Sequence, residues 1–254
     1  HTGESTTVRM SAITASQIII LDFPVTFSLT SALKGNSLPY AWNPRHAARV
    51  GALPRGGTAD DICWFSVDPC FVFHACNAYD LDNGNIVLDV VVHHRVLETT
   101  TQGPMENQPI IFERWMLDRA SGGVQRTLIS QANQDFPRLD ERFTGKPYRY
   151  AYTIGSSPDP TQLAANPLFR HDLHTGETQT HRYGARKVSG EVTFVPRHAQ
   201  AAEGDGWLMS YVHDLDGGSS QVVIVDALKL GATPQAVIDL GVRVPLGFHC
   251  NWIE

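Results

Sequence analysis

The sequence predicts an all-β protein, and three observations carry that prediction. Its apolar runs are short and rich in Val, Ile, Phe, Tyr and Trp. Gly, Asp, Asn and Pro bound them, which is the pattern of strands joined by turns. Helical periodicity is almost absent. In order along the chain, strands are expected at Gln17–Phe23, Ala48–Leu53, Ile62–Val67, Cys70–Ala75, Asn85–His93, Ile110–Leu117, Gln125–Ser130, Tyr148–Ile154, Thr178–Tyr183, Val192–Pro196, Trp207–His213 and Gln221–Leu228. The intervening strings "DLDNGN", "DRASGG", "LHTGET" and "DLDGGS" supply the positive φ that tight connections between antiparallel strands require.

Two stretches look like repeats of one unit. "FRHDLHTGETQTHRYG" reads strand, Asp, Gly-containing turn, strand, and "VIVDALKLGATPQAVIDLG" has the same form about fifty residues later. A period of about 40–55 residues suits the four-stranded blade of a β-propeller. The alternative is a β-sandwich, whose strands recur without that period. At this period the chain supplies four to five blades, few for a closed ring. It is read as a single domain over residues 1–254, incomplete at its N-terminus because it starts at His1.

Composition narrows the function. The chain has 254 residues, 42% hydrophobic and 18% charged, with a net charge of -6 that forms no blocks. A nucleic-acid footprint is not expected from this, nor is a membrane-crossing helix, since no apolar run approaches ~20 residues. Cys63, Cys70, Cys76 and Cys250 lack the CxxC spacing of a zinc site. With no secretory pattern at the start, they read as reduced thiols in a cytoplasmic protein. Phosphate loops, GxSxG and HExxH are absent.

Eleven histidines are the main chemical clue. His93 and His94 end a strand, His171, His174 and His181 lie in a polar hairpin, and His46 and His198 sit among Arg and Ala; all seven are expected as exposed loop residues. His213 is expected as a strand-end residue. His74 in "FVFHACNAYD" and His249 in "RVPLGFHCNWIE" differ, because each follows an aromatic residue and precedes a small residue and Asn. Neutral imidazole is the commonest protein ligand for transition metals, and imidazoles without thiolates suit iron, copper, zinc or nickel. A ligating histidine needs its other nitrogen held, and Asp135 in "NQDFPRLDER" and Glu191 in "SGEVTFVPR" are candidates for that. The competing role for each is an ion pair with Arg138 or Arg197.

The segments "AITASQIIILDFPVTF", "ARVGALPRGG", "ICWFSVDPCFVFHACNAYD", "NIVLDVVVHH", "QDFPRLDERFTGKPYRYAY", "GEVTFVPR", "GDGWLMSYVHD" and "RVPLGFHCNWI" together resemble the carotenoid cleavage oxygenase family. That family includes apocarotenoid oxygenases, lignostilbene dioxygenases and the retinoid isomerase of the eye. The resemblance is to its C-terminal half. It implies a seven-bladed β-propeller with Fe(II) on the axis, held by four histidines, three of them fixed by glutamates. His74 matches the third ligand and His249 the fourth. Glu191 matches one of the glutamates, and Asp135 occupies the place of another with an arm one methylene shorter. The implied reaction uses O2 to split a carbon–carbon double bond of a carotenoid, apocarotenoid or stilbene into two carbonyl products. Such a lipophilic substrate would be collected by an apolar patch in peripheral contact with a membrane. The family's second ligand precedes the "AIT" segment, where this chain carries Arg9, Met10 and Ser11, and His1 matches only the turn after the first ligand. The alternative is therefore a truncated or degenerate homologue without metal, binding an apolar ligand or inactive.

Overall fold

A computed structural model describes residues 11–97, 109–156 and 166–253. His1, Arg9 and Met10, where the chain departs from the family pattern, lie outside the described residues. The chain divides into two compact units, His1–Ala132 and Asn133–Glu254.

The first unit contains β1 (Ser11–Ile13), β2 (Gln17–Asp22), β3 (Val25–Phe27), α1 (Leu29–Leu33), β4 (Tyr40–Trp42), β5 (Arg49–Pro54), β6 (Cys63–Ser66), β7 (Phe71–Asp80), β8 (Ile86–His93), β9 (Ile110–Asp118) and β10 (Gly123–Ser130). Two antiparallel four-stranded sheets run β1-β2-β5-β6 and β10-β9-β8-β7, and β3 pairs with β4 in a separate two-stranded sheet. In the second unit lie β11 (Gln134–Arg138), β12 (Tyr150–Gly155), β13 (Leu168–Asp172), β14 (Thr178–His181), β15 (Lys187–Ser189), β16 (Thr193–Pro196), β17 (Gly206–Asp214), β18 (Ser220–Asp226) and β19 (Ala236–Asp239). They form one sheet of order β11-β12-β13-β14 and another of order β15-β17-β18-β19, to which β16 adds by pairing with β17. The protein is all-β. All twelve expected strands are present, shifted by a few residues at their ends. β7 runs on to Asp80, because Asn77–Asp80 continue the ladder with β8 up to the Asn-Gly turn.

Burial explains the strand sequences. Every residue of β8 is buried, so "IVLDVVVH" is a continuous apolar run instead of an alternating one. Its Asp89 is tolerated there because its register partner Arg114 donates two hydrogen bonds of 2.9 Å to the carboxylate. Around β8 the first unit packs Ile19, Val50, Phe65, Leu88 and Trp115 into one core. The second unit builds its own core from Tyr152, Leu168, Leu208, Val225 and Leu230, with Tyr152 stacked on Phe194 at 6.1 Å between ring centroids.

Three of the seven histidines expected in exposed loops are instead buried. His93 closes β8 with its ring 4.8 Å from that of Phe73. His181 is buried with Nδ1 3.0 Å from the Leu230 carbonyl. His171 is 1% exposed; its Nε2 lies 2.7 Å from Gln134 Oε1 and 3.0 Å from Thr153 Oγ1, and its Nδ1 3.1 Å from Thr178 Oγ1. The hairpin β13–β14 looks polar in sequence, but His171 and the Nδ1 side of His181 meet partners on neighbouring strands and loops, which offsets much of the cost of burying them; His181 Nε2 is buried without one. His94, His174 and His198 are exposed as expected, and His46 is bonded to Asp22 at 2.7 Å. His213 does end a strand, buried beside Ser220 Oγ at 2.9 Å.

Burial lowers the His171 pKa from 6.5 to about 4, favouring the neutral ring in the folded state. The unfolded chain therefore binds a proton first as the pH falls. The stabilisation is complete above pH 6.5 and is lost between there and about pH 4, by up to about 3 kcal/mol. Asp172, held at about 2 chiefly by its hydrogen bonds from Arg149, acts only in a lower window. Urea unfolding at about pH 7 and about pH 4.5 should show this loss, and a His171→Gln variant should show a smaller slope over that interval, with the remainder including His213, whose pKa burial also lowers.

Candidate metal centre

Glu191 occupies a break in an edge strand. β15 and β16 both pair with β17, yet between Ser189↔Val212 and Thr193↔Met209 the edge carries one more residue than β17. Such a bulge re-aims a side chain out of the strict alternation of a strand. Gly190 N keeps a 2.9 Å bond to Tyr211 O inside the break, and the Glu191 side chain is turned inward to 4% exposure.

That buried carboxylate has donors on both oxygens. Its Oε1 lies 3.3 Å from His249 Nδ1. Its Oε2 accepts from Cys250 N at 3.0 Å and from Arg138 Nη1 at 3.3 Å. The Cys250 thiol sits against the same strand, 3.2 Å from Thr193 Oγ1 and 3.4 Å from the Glu191 carbonyl. The His249 side chain itself is 59% exposed. With Nδ1 directed at a carboxylate, which can only accept, the neutral ring carries its proton there and its lone pair on Nε2, the tautomer a metal-ligating histidine needs. Glu191 is thus bonded both to an imidazole and to Arg138, its ion-pair partner; Arg197 is bonded to Asp205 and Asp226 instead.

Asp135 is buried on β11 in the same unit. The ladder between β11 and β12 is irregular between Asp135 and Arg138, and Phe136 adopts φ +53. A positive φ at a bulky residue is strained and persists only where its surroundings impose it. Here the Asp135 carboxylate accepts from Phe136 N at 2.8 Å, and the Phe136 ring meets that of His249 edge-on, with centroids 6.0 Å apart. Asp135 therefore braces a backbone turn that bears on His249. Neither the strand at Gln134–Arg138 nor Phe136 was expected. Asp, Pro and a left-handed residue inside five positions erase the strand signal, although the "FPR" string does lie in a segment that carries the resemblance.

His74 lies in the first unit, half-buried on β7 at a point where the β7–β8 register shifts, between Val72 and Ala75. Its neighbour Phe73 packs against Phe71 at 4.6 Å. The structure thus brings His249, Glu191, Arg138 and Phe136 together in the second unit and holds His74 on a bulge in the first. Among the described residues, no group of three or more His, Cys, Asp or Glu is gathered to hold a metal. The imidazole backed by a buried carboxylate fits one arm of a histidine-held metal.

The family model described as RPE65, retinal pigment epithelial membrane protein, matches residues 9–254. This chain belongs to that carotenoid oxygenase family. A carotenoid cleavage oxygenase of Mycobacterium tuberculosis is 36% identical over 234 residues, covering 89% of this chain and 46% of that protein. The structure of Pseudomonas brassicacearum lignostilbene dioxygenase matches with a TM-score of 0.87 at 25% identity, over 98% of this chain and 55% of that one. A cobalt-substituted Synechocystis ACO matches with a TM-score of 0.82 at 28% identity, over 94% and 51% of the two chains. This chain spans about half the length of the curated relatives it matches.

If Asp135 holds the strained turn at Phe136, Asp135→Ala should destabilise the fold by about 1–3 kcal/mol, the range for orphaning a buried donor. Asp135→Asn, which keeps an acceptor for that N–H, should recover most of the loss in the same denaturant titration.

Proposed function

We propose that this chain forms part of an Fe(II)-dependent dioxygenase that splits a carbon–carbon double bond of a carotenoid, apocarotenoid or stilbene into two carbonyl products, with O2 as co-substrate. The observation that carries this reading is the Glu191–His249 pair, a buried carboxylate holding the Nδ1 side of an exposed imidazole. Family membership supports the reaction class, and the names of relatives support an apolar substrate with an alkene. In the same reading the four larger antiparallel sheets are blades of a seven-bladed propeller, whose remaining blades belong to a longer chain.

His249 and His74 would be ligands, with Glu191 fixing the tautomer of His249 and Asp135 bracing the turn that packs against it. Bound iron would act there as Lewis acid and as the site where O2 is activated. The chain's own task is to orient the imidazoles, exclude water and seat a long apolar substrate beside aromatic side chains such as Phe73 and Phe136. No side chain is needed as a general acid or base.

A cytoplasmic location with peripheral membrane contact completes the proposal. Among the described residues no helix is long and apolar enough to cross a membrane. α1, however, buries none of its residues, and it presents Leu29 and Leu33 at 65% and 80% exposure next to the exposed Phe27. A lipid surface would accept that apolar face. Leu29→Ser combined with Leu33→Ser should then reduce co-sedimentation with lipid vesicles severalfold without changing thermal stability.

The central test is iron content. After anaerobic reconstitution with Fe(II), elemental analysis should find about one iron per chain, and Glu191→Ala should weaken retention by about 10–100-fold. His74→Ala should lower it as well. Iron no higher in the unaltered chain than in His74→Ala would overturn the proposal and leave the family fold without metal.

A further inference from the structure

We propose that Arg138 is a positioning residue for His249, acting through Glu191; the metal role of His249 rests on the reading above, the positioning does not. The Glu191 carboxylate is buried, and three donors converge on it: His249 Nδ1, the backbone N–H of Cys250 and the Arg138 guanidinium. Arg138 brings a full positive charge to it. It occupies Oε2, sharing it with Cys250 N, which leaves Oε1 directed at His249. A carboxylate pinned on one oxygen cannot rotate away from the imidazole held by the other.

The guanidinium does more than fix the carboxylate. Its Nη2 is ion-paired with the Glu141 carboxylate and lies 3.5 Å from Asn251 Oδ1. Asn251 follows His249 by two positions, so a single planar fork touches the group behind the imidazole and the chain just beyond it. The bulge in β11 gives this fork its reach, since Phe136 from the same five-residue strand packs on the His249 ring. Segment 249–251 has no strand ladder of its own. The named contacts from β11 and Glu191 are side-chain substitutes for that ladder.

Lysine cannot replace this arrangement. An ammonium supplies charge as a point, whereas arginine offers several donors in a rigid plane that can engage separate acceptors at once. Arg138→Lys therefore keeps the counter-charge that a buried Glu191 needs for folding and removes the fork. Arg138→Gln removes both.

The test uses metal-free protein carrying 15N-labelled histidine, at mildly alkaline pH where imidazole is neutral. The His249 side-chain signals are assigned by their loss in His249→Asn. In the unaltered protein His249 should be predominantly protonated at Nδ1, the minority form of an unconstrained histidine. Both Arg138→Lys and Arg138→Gln should shift it towards Nε2–H, and Arg138→Lys should do so with little change in the unfolding midpoint. Titration with Co(II), followed by its visible absorption, should then show affinity reduced by about tenfold or more in both variants. An unchanged tautomer in the two variants would overturn the proposal, whatever happens to stability. A shifted tautomer in a protein that binds no Co(II) would uphold the positioning by Arg138 and remove the metal reading alone.

Discussion

Strand register sets the charge balance of this molecule. Asp22 and Arg49 are direct partners across β2 and β5, as are Asp89 and Arg114 across β8 and β9, and each pair is bonded at 2.8–2.9 Å. Glu113 on β9 is bonded to Arg126 on β10, and Asp172 at the end of β13 to Arg149 just ahead of β12. A slip of one residue would turn each acid to the opposite face from its arginine. It would leave a carboxylate buried without a counter-charge, which costs several kcal/mol. Apolar content alone drives collapse without choosing a register. These buried pairs supply a penalty for every wrong one.

The candidate centre departs from that regularity. Glu191 reaches inward because β15 and β16 carry an extra residue against β17, and Phe136 and Arg138 reach His249 and Glu191 because the β11–β12 ladder is broken after Asp135. His74 also lies at a register break. A regular strand offers two directions for a side chain, into one face or the other. Residues that must converge on a point need a third, and a bulge provides it. The strain at Phe136 is the local penalty for that direction, offset by the Asp135 carboxylate on its N–H.

The buried polar groups around His171 keep to a regular ladder. His171, Gln134, Thr153 and Thr178 lie on four successive strands, β11 to β14, and are linked by hydrogen bonds inside the second unit. Gln134 precedes Asp135, so this network anchors β11 at the residue before its ladder breaks. Neutral His171 is thereby tied to the part of the fold that carries Phe136 and Arg138. The sheet holds the strand firmly at one end while the other is bent towards His249.

The sequence by itself determined the all-β class and twelve of the strands, because alternating or continuous apolar runs between Gly, Asn, Asp and Pro are local signals. It also singled out His74, His249, Glu191 and Asp135, since a family resemblance is carried by short strings such as "FVFHACNAYD" and "GEVTFVPR". Only the tertiary structure decided the burial of His93, His171 and His181, because a histidine at a strand end or in a polar hairpin is buried or exposed according to partners far away in the chain. It alone decided that Glu191 serves both His249 and Arg138, as those contacts join residues more than fifty positions apart. The β11 strand was illegible for the same reason. Its Asp, its Pro and its left-handed Phe136 are poor strand residues locally, and they are held in place by a neighbouring strand, a carboxylate and a histidine ring that no window of the sequence contains.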